Sequence, residues 1–154
     1  MNATEKKLNV SFPSETEVLM TRTFNAPRDL VFQCFTSCEH LDKWWGWGLS
    51  NCQMDVRPGG AWSRTSKGPD GNDVQFKGIY QEVVRPELLS YTMIMGQMPE
   101  LLETILFSEE NGQTKLSTIV KFPSADLLQG AAPHMEMGAG LAYDKLEQHL
   151  ATLQ

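Results

Sequence analysis

The sequence predicts an α+β fold in which a strongly bent antiparallel sheet wraps around one C-terminal helix. Three observations point there. Period-two alternation of apolar residues dominates from Leu49 to Phe122. Turn-forming clusters punctuate it at short intervals, which favours an antiparallel meander over parallel crossovers. The last twenty residues then change to a helical spacing, with Ala142, Leu146, Leu150 and Leu153 as one stripe.

The elements follow in chain order. Residues 1–14 carry no periodicity and include Pro13, so they are expected to form a flexible tail ahead of a single domain spanning 15–154. Glu15 to Phe24 reads as a first strand, with Val18, Met20 and Arg22 on one face. Ala26-Pro27 opens a helix, since proline at the first helical position loses no hydrogen bond. Val31, Cys34, Phe35 and Cys38 fall on one buried stripe. Ser37 caps a second short helix through His40, Leu41 and Trp44.

Six more strands follow: Leu49–Val56, Ala61–Ser66, Val74–Val84, Leu88–Met95, Leu101–Ser108 and Thr114–Phe122. Their connections carry Arg57-Pro58-Gly59-Gly60, Lys67-Gly68-Pro69-Asp70-Gly71-Asn72, Arg85-Pro86-Glu87 and Glu109-Glu110-Asn111-Gly112-Gln113. Ser124 caps a short turn up to Gln129. Gly130 and Pro133 are expected to interrupt it, so that the long helix starts at His134.

Composition limits the functional classes. The chain has 154 residues, the size of one domain, and is 41% hydrophobic and 21% charged. Its net charge of −6 and the absence of a basic run beyond Lys6-Lys7 disfavour nucleic-acid binding. No apolar stretch approaches the ~20 residues of a membrane span, and Met1 to Glu17 lacks an apolar signal core. Three cysteines are an odd count, read as reduced thiols in a cytoplasmic protein, with Cys34 and Cys38 buried and unbridged and Cys52 also free.

Several segments together resemble the family of heat-shock-protein-90 ATPase activator homologues, within the START-like, birch-pollen-allergen-like superfamily. They are Phe24-Asn25-Ala26-Pro27, Leu41-Asp42-Lys43-Trp44-Trp45-Gly46, Met54-Asp55-Val56-Arg57-Pro58-Gly59-Gly60 with Trp62, and Gly78-Ile79-Tyr80-Gln81-Glu82-Val83-Val84 with Pro86. Met135 to Gly138 and Asp144-Lys145-Leu146-Glu147 complete the set. The resemblance spans about Thr21 to Leu150. It implies a helix-grip fold with a cavity between sheet and final helix, which in relatives commonly takes a hydrophobic small molecule. It also implies an alternative, contact with a chaperone, since the eukaryotic namesake stimulates a chaperone ATPase through a larger two-domain protein.

Strand parity then selects the cavity wall. Phe76, Gly78, Tyr80 and Glu82 share a face; so do Leu89, Tyr91, Met93 and Met95, and Glu103, Ile105 and Phe107. The inward set is Phe76, Tyr80, Tyr91, Met93, Met95, Ile105 and Phe107, and the expected cavity lining adds Trp62 and Met135. Relatives often carry a large aromatic where this chain has Ala139, so Ala139 and Gly140 are expected to free space. Arg64 shares the Trp62 face and either pairs with Glu103 or extends to the rim. Trp44 and Trp45, with Trp47 nearby, either lid the cavity or anchor the small helices.

His134 is the histidine placed to meet a ligand or act as acid or base, whereas His40 and His149 read as surface residues. Cys34, Cys38 and His40 superficially suggest a metal site, but the stripe spacing favours core thiols, so neither metal nor cofactor is expected. No phosphate loop, dinucleotide fingerprint or nucleophile elbow is present. The leading expectation is a monomeric or homodimeric binding protein for a hydrophobic small molecule. A cyclase- or hydrolase-like enzyme using Tyr80, Glu103 or His134 is the third class.

Overall fold

Among the described residues, eight strands and three helices follow in the order β1 (Asn9–Ser14), β2 (Glu17–Phe24), α1 (Arg28–Thr36), α2 (Cys38–Trp44), β3 (Leu49–Met54), β4 (Ala61–Lys67), β5 (Asp73–Val84), β6 (Leu88–Met95), β7 (Leu101–Glu110), β8 (Gln113–Lys121) and α3 (Ala125–Thr152). The computed structural model describes residues 7–46, 48–68 and 70–154. Residues 1–6 of the expected tail, Trp47 of the tryptophan cluster and Pro69 of the expected hairpin connection lie outside the described residues.

The strands form one sheet in the order β1-β2-β8-β7-β6-β5-β4-β3, and every neighbouring pair is antiparallel. Strands β3 to β8 are the meander that the turn signals predict. The long-range step is β2, which pairs with β8 in register from Glu17↔Lys121 to Phe24↔Thr114. One face of the sheet holds the core. Val18, Met20 and Arg22 are buried on β2, and Leu116, Thr118 and Val120 on β8, each alternating with more exposed residues.

The helices cover that face. In α3, Tyr143, Leu146 and Leu150 are buried against the sheet and the small helices, and Leu128 packs with Val18, Met20, Val120 and Phe122 near the helix start. Arg22 ties α3 to β2. Its guanidinium donates to Asp144 Oδ1 at 2.8 Å and to Glu147 Oε2 at 2.7 Å. The Thr118 and Tyr143 hydroxyls are hydrogen-bonded at 3.2 Å across the same interface. Phe32 and Phe35 of α1 meet Phe107 of β7 with ring centroids 5.1 and 5.4 Å apart.

Four expectations are corrected. Asn9–Ser14 is not tail: it adds an eighth strand on the free edge of β2, mostly exposed. Backbone pairing on an open edge needs no apolar alternation, so the sequence carries little sign of it, and Pro13 falls where the register shifts between Ser11 and Ser14. Helix α3 is continuous through Gly130 and Pro133, starting nine residues before His134, with Leu127 N–H donating to Ser124 Oγ at 3.2 Å. Pro133 is exposed, so the carbonyl its ring leaves without a helical donor lies on the solvent side.

Glu82 does not share the inner face. The β5–β6 register shifts between Tyr80 and Glu82, and beyond that irregularity Val83 turns inward while Glu82 is exposed. The thiols differ most. Cys38 and Cys52 form a disulfide, with Cα atoms 5.9 Å apart, and Cys34 is the free, buried cysteine. Ser37 ends α1, so Cys38 leaves the Cys34 stripe and starts α2, facing β3. The expectation of three reduced thiols, and the reducing compartment inferred from it, loses its basis.

Candidate functional site

Between the middle of α3 and the strands β4 to β7 lies a cavity of about 600 Å³. Its floor follows from strand register. Arg64 lies opposite Phe76, Phe76 opposite Met95, Tyr80 opposite Tyr91, and Tyr91 opposite Glu103. Gly78 lies opposite Trp62, and a Cβ there would collide with the Thr92 carbonyl and come within 2.8 Å of Trp62 Nε1. Glycine at this position therefore lets the indole Nε1 approach the sheet backbone, with the ring edge-on to Tyr91 at a centroid distance of 5.5 Å.

The end walls come from other elements. Trp44 is buried, and its Nε1 donates to the Cys34 carbonyl at 2.9 Å, which anchors α2 on α1. Trp45 follows the helix and packs edge-on against Phe76, with centroids 4.7 Å apart. Gly46 has a φ of +72°, and a Cβ there would strike the Ser66 hydroxyl, so the chain reaches the β4 strand only through glycine. On the helix side, Met135, Gly138, Ala139 and Ala142 face the cavity. A Cβ on Gly138 would meet nothing within 4 Å. At the mouth, Met95, Met137 and Leu141 expose 40, 67 and 52% of their surface, beside the exposed Lys67 and His134.

The expected wall is largely assembled. Trp44, Trp45, Trp62, Arg64, Phe76, Tyr80, Tyr91, Met93, Met95, Glu103, Met135 and Ala139 all line the cavity, and His134 lines it from the exposed rim of α3. Ile105 and Phe107 do not. Both are buried, but at the α1 end of the sheet, where Phe32 and Phe35 cover Phe107. Gly140 also lies outside the wall; it borders a shallow surface cleft with Arg22 and Asp144. Phe35 and Leu41, expected only as residues of the small helices, and Leu141 and Tyr143, not expected at all, also line the cavity. Tyr143 sits one residue beyond the expected Ala142 stripe, a signal that strict spacing from Leu146 passes over.

Arg64 gives the cavity its polarity. Only 6% of the residue is exposed, and its guanidinium carbon lies 4.5 Å from the Trp45 ring centroid and 4.4 Å from that of Trp62. The cation is thus held between two indoles. Among the described residues its Nε has no hydrogen-bond partner, and neither has Trp62 Nε1. Arg64 makes no close ion pair with Glu103 among the described residues, so neither of the two expected fates of Arg64 holds: it is stacked inside rather than paired at contact or extended to the rim.

Burial lowers the pKa of Arg64, opposed by the nearby Tyr91, Tyr80 and Glu103. Burial raises that of Glu103, opposed by a hydrogen bond from Tyr91 and by the charge of Arg64. Tyr80 is pushed up to about 12 by burial, and Tyr91 rises well above the ordinary tyrosine range for the same reason, reinforced by Glu103. Both tyrosines therefore keep their hydroxyl protons at neutral pH and can donate. The result is one polar corner, with donors on Arg64 and Tyr80 and an acceptor on Glu103, in an otherwise aromatic and methionine-lined space.

The chain is similar to known proteins over most of its length. The family model described as Activator of Hsp90 ATPase homolog 1-like protein matches residues 25–151. No curated protein matches the sequence. Among solved structures, a protein from Rhodobacter sphaeroides superimposes with a TM-score of 0.89 at 23% identity, covering 96% of this chain and 99% of that one. A protein from Mycobacterium smegmatis gives 0.83 at 23% identity, covering 91% and 94%. One from Nitrosomonas europaea gives 0.82 at 22%, covering 94% and 99%. At these identities the likeness establishes the fold.

Proposed function

We propose that this chain, which belongs to the Activator of Hsp90 ATPase homolog 1-like family, binds an amphipathic small molecule: an aromatic or aliphatic body in the cavity, with a carboxylate or similar acceptor against Arg64. The observation that carries this reading is the buried guanidinium of Arg64, stacked between Trp45 and Trp62 and, among the described residues, lacking a partner at Nε, in the wall of a 600 Å³ cavity. A buried unsatisfied donor costs about 1–3 kcal/mol. A cavity whose sole task was packing would place an apolar residue there. Ligand sites of about 300–1,000 Å³ with a few convergent polar groups are the ordinary form of small-molecule pockets.

The magnitudes are sufficient. A ligand burying about 200–300 Å² of apolar surface gains roughly 5–8 kcal/mol at ~25 cal/mol per Å². A charge-assisted hydrogen bond adds about 1.5–3 kcal/mol. After the cost of association, micromolar binding is the expected scale. The exposed apolar side chains of Met95, Met137 and Leu141 at the mouth admit such a body, and methionine adapts to irregular shapes.

The test is a titration of aromatic and aliphatic carboxylates and their methyl esters, followed by tryptophan fluorescence. Trp45 and Trp62 flank Arg64, so binding must perturb their emission. Tighter binding of the acids supports the reading. Equal binding of acid and ester removes the role of Arg64, and saturation by neither class removes the ligand.

A further inference from the structure

Away from the cavity, three potential metal ligands converge where the three helices meet. Cys34 comes from α1, His40 from α2 and His149 from the last turn of α3. His40 Nδ1 lies 2.9 Å from His149 Nε2, and one ligand atom from each of the three residues falls within 4.8 Å of the others. Cys34 is buried, whereas both histidines are half-buried, so the group is backed by core and reachable from solvent. None of the three lines the cavity.

We propose that Cys34, His40 and His149 bind a zinc ion, with the fourth coordination position open to solvent. The donor set decides the metal. A thiol and two imidazoles, with no carboxylate, suit Zn²⁺ and not Mg²⁺ or Ca²⁺. Zinc bonds of about 2.3 Å to sulfur and 2.0–2.1 Å to nitrogen, in tetrahedral geometry, imply about 3.3 Å between the nitrogens and about 3.6 Å from sulfur to nitrogen. The imidazoles must therefore part by a few tenths of an ångström while the sulfur stays within or closes from its 4.8 Å limit, movements within reach of side-chain torsions.

The surroundings favour that arrangement. Cys38, the neighbouring thiol, is committed to Cys52, and this bond fastens α2 to β3 two residues before His40. The Trp44 indole bond to the Cys34 carbonyl fixes α1 against α2. Lys43 is the other charged group near His149. It repels a bound cation, and the Cys34 thiolate offsets it.

The proton balance is simple. Burial pushes the Cys34 thiol up to about 11, so at neutral pH it is protonated. Zinc forms the S–Zn bond as the S–H bond breaks, and that proton leaves to solvent. The proton shared between the imidazoles moves to the far ring nitrogen of its donor. One proton is released per ion, and affinity rises with pH.

The experiment uses tag-free protein with its disulfide intact, titrated with Co²⁺ and then with Zn²⁺. Expected are one Co²⁺ per chain, visible bands of a tetrahedral site, a near-ultraviolet thiolate charge-transfer band, and displacement of all of these by Zn²⁺. Cys34→Ser must abolish the charge-transfer band. His40→Gln and His149→Gln must each weaken affinity at least tenfold; being half-exposed, they carry the test if Cys34→Ser does not fold. No saturable Co²⁺ spectrum, or one that survives His149→Gln unchanged, overturns the site and leaves the histidines as a hydrogen-bonded pair.

Discussion

Replacing Arg64 by methionine should stabilise the protein and weaken its binding of carboxylates. The guanidinium stacks on two indoles at 4.5 and 4.4 Å, and each such contact contributes about 0.5–2 kcal/mol. Against that stand several kcal/mol of desolvation for a buried cation and about 1–3 kcal/mol for an Nε that has no hydrogen-bond partner among the described residues. Methionine keeps a long apolar stem between Trp45 and Trp62 without either cost. A net gain of about 1–2 kcal/mol is expected, which for a chain of this size raises the unfolding midpoint by roughly 2–8 °C. Loss of a charge-assisted hydrogen bond weakens an aromatic carboxylate by about ten- to a hundredfold and leaves its methyl ester nearly unaffected. Urea unfolding and fluorescence titration measure the two halves separately. A destabilised variant that still prefers the acid would refute the reasoning, because Arg64 would then be a structural residue.

Further outcomes follow from other parts of the molecule. Ala139→Trp fills the helix side of the cavity, where Ala139 packs against both core clusters, and should lower ligand affinity at least tenfold while far-ultraviolet circular dichroism stays unchanged. Removing the Cys38–Cys52 bond, whose residues are 14 apart in sequence, should cost about 3 kcal/mol in urea unfolding, and mass spectrometry of the native protein under non-reducing conditions should show no labelling of the buried Cys34. The lowered pKa of His149 makes stability fully present above the ordinary histidine value of 6.5 and lost as pH falls through the depressed folded value, because burial, and after it the nearby His40 and Lys43, disfavours the imidazolium in the folded state. In metal-free protein, His149→Gln should flatten that acid-side decline in urea midpoints; an unaltered decline would assign it elsewhere.

Much of the fold is legible because the sheet has one dry face. Alternation at Val18-Met20-Arg22 and Leu116-Thr118-Val120 marks the buried side wherever register runs unbroken. Parity fails at Glu82, where an irregularity after Tyr80 reverses the faces without a turn residue to announce it. It also cannot say how far along a strand the cavity extends. Ile105 and Phe107 face inward with Glu103, yet helix α1 fills the space above them. The β1 strand escapes notice because an edge needs only backbone pairing. Cys38–Cys52 depends on how α2 docks on β3, and the Cys34, His40 and His149 group on how α1 and α2 meet the end of α3, placements that periodicity does not give. Arg64 stood out as a charge on an apolar face, but its position between two tryptophans required both the β4 register and the path of the chain past Gly46.

Labelling the methionine methyl groups with carbon-13 and titrating an aromatic carboxylate by nuclear magnetic resonance tests the central claim most directly. Met93, Met135 and Met137 line the cavity, whereas Met98 is exposed and outside it. The account predicts saturable shifts at Met93 and Met135, a smaller shift at Met137 at the mouth, and none at Met98. Shifts confined to Met98, or no saturable shift from any acid of the series, would contradict an internal ligand site.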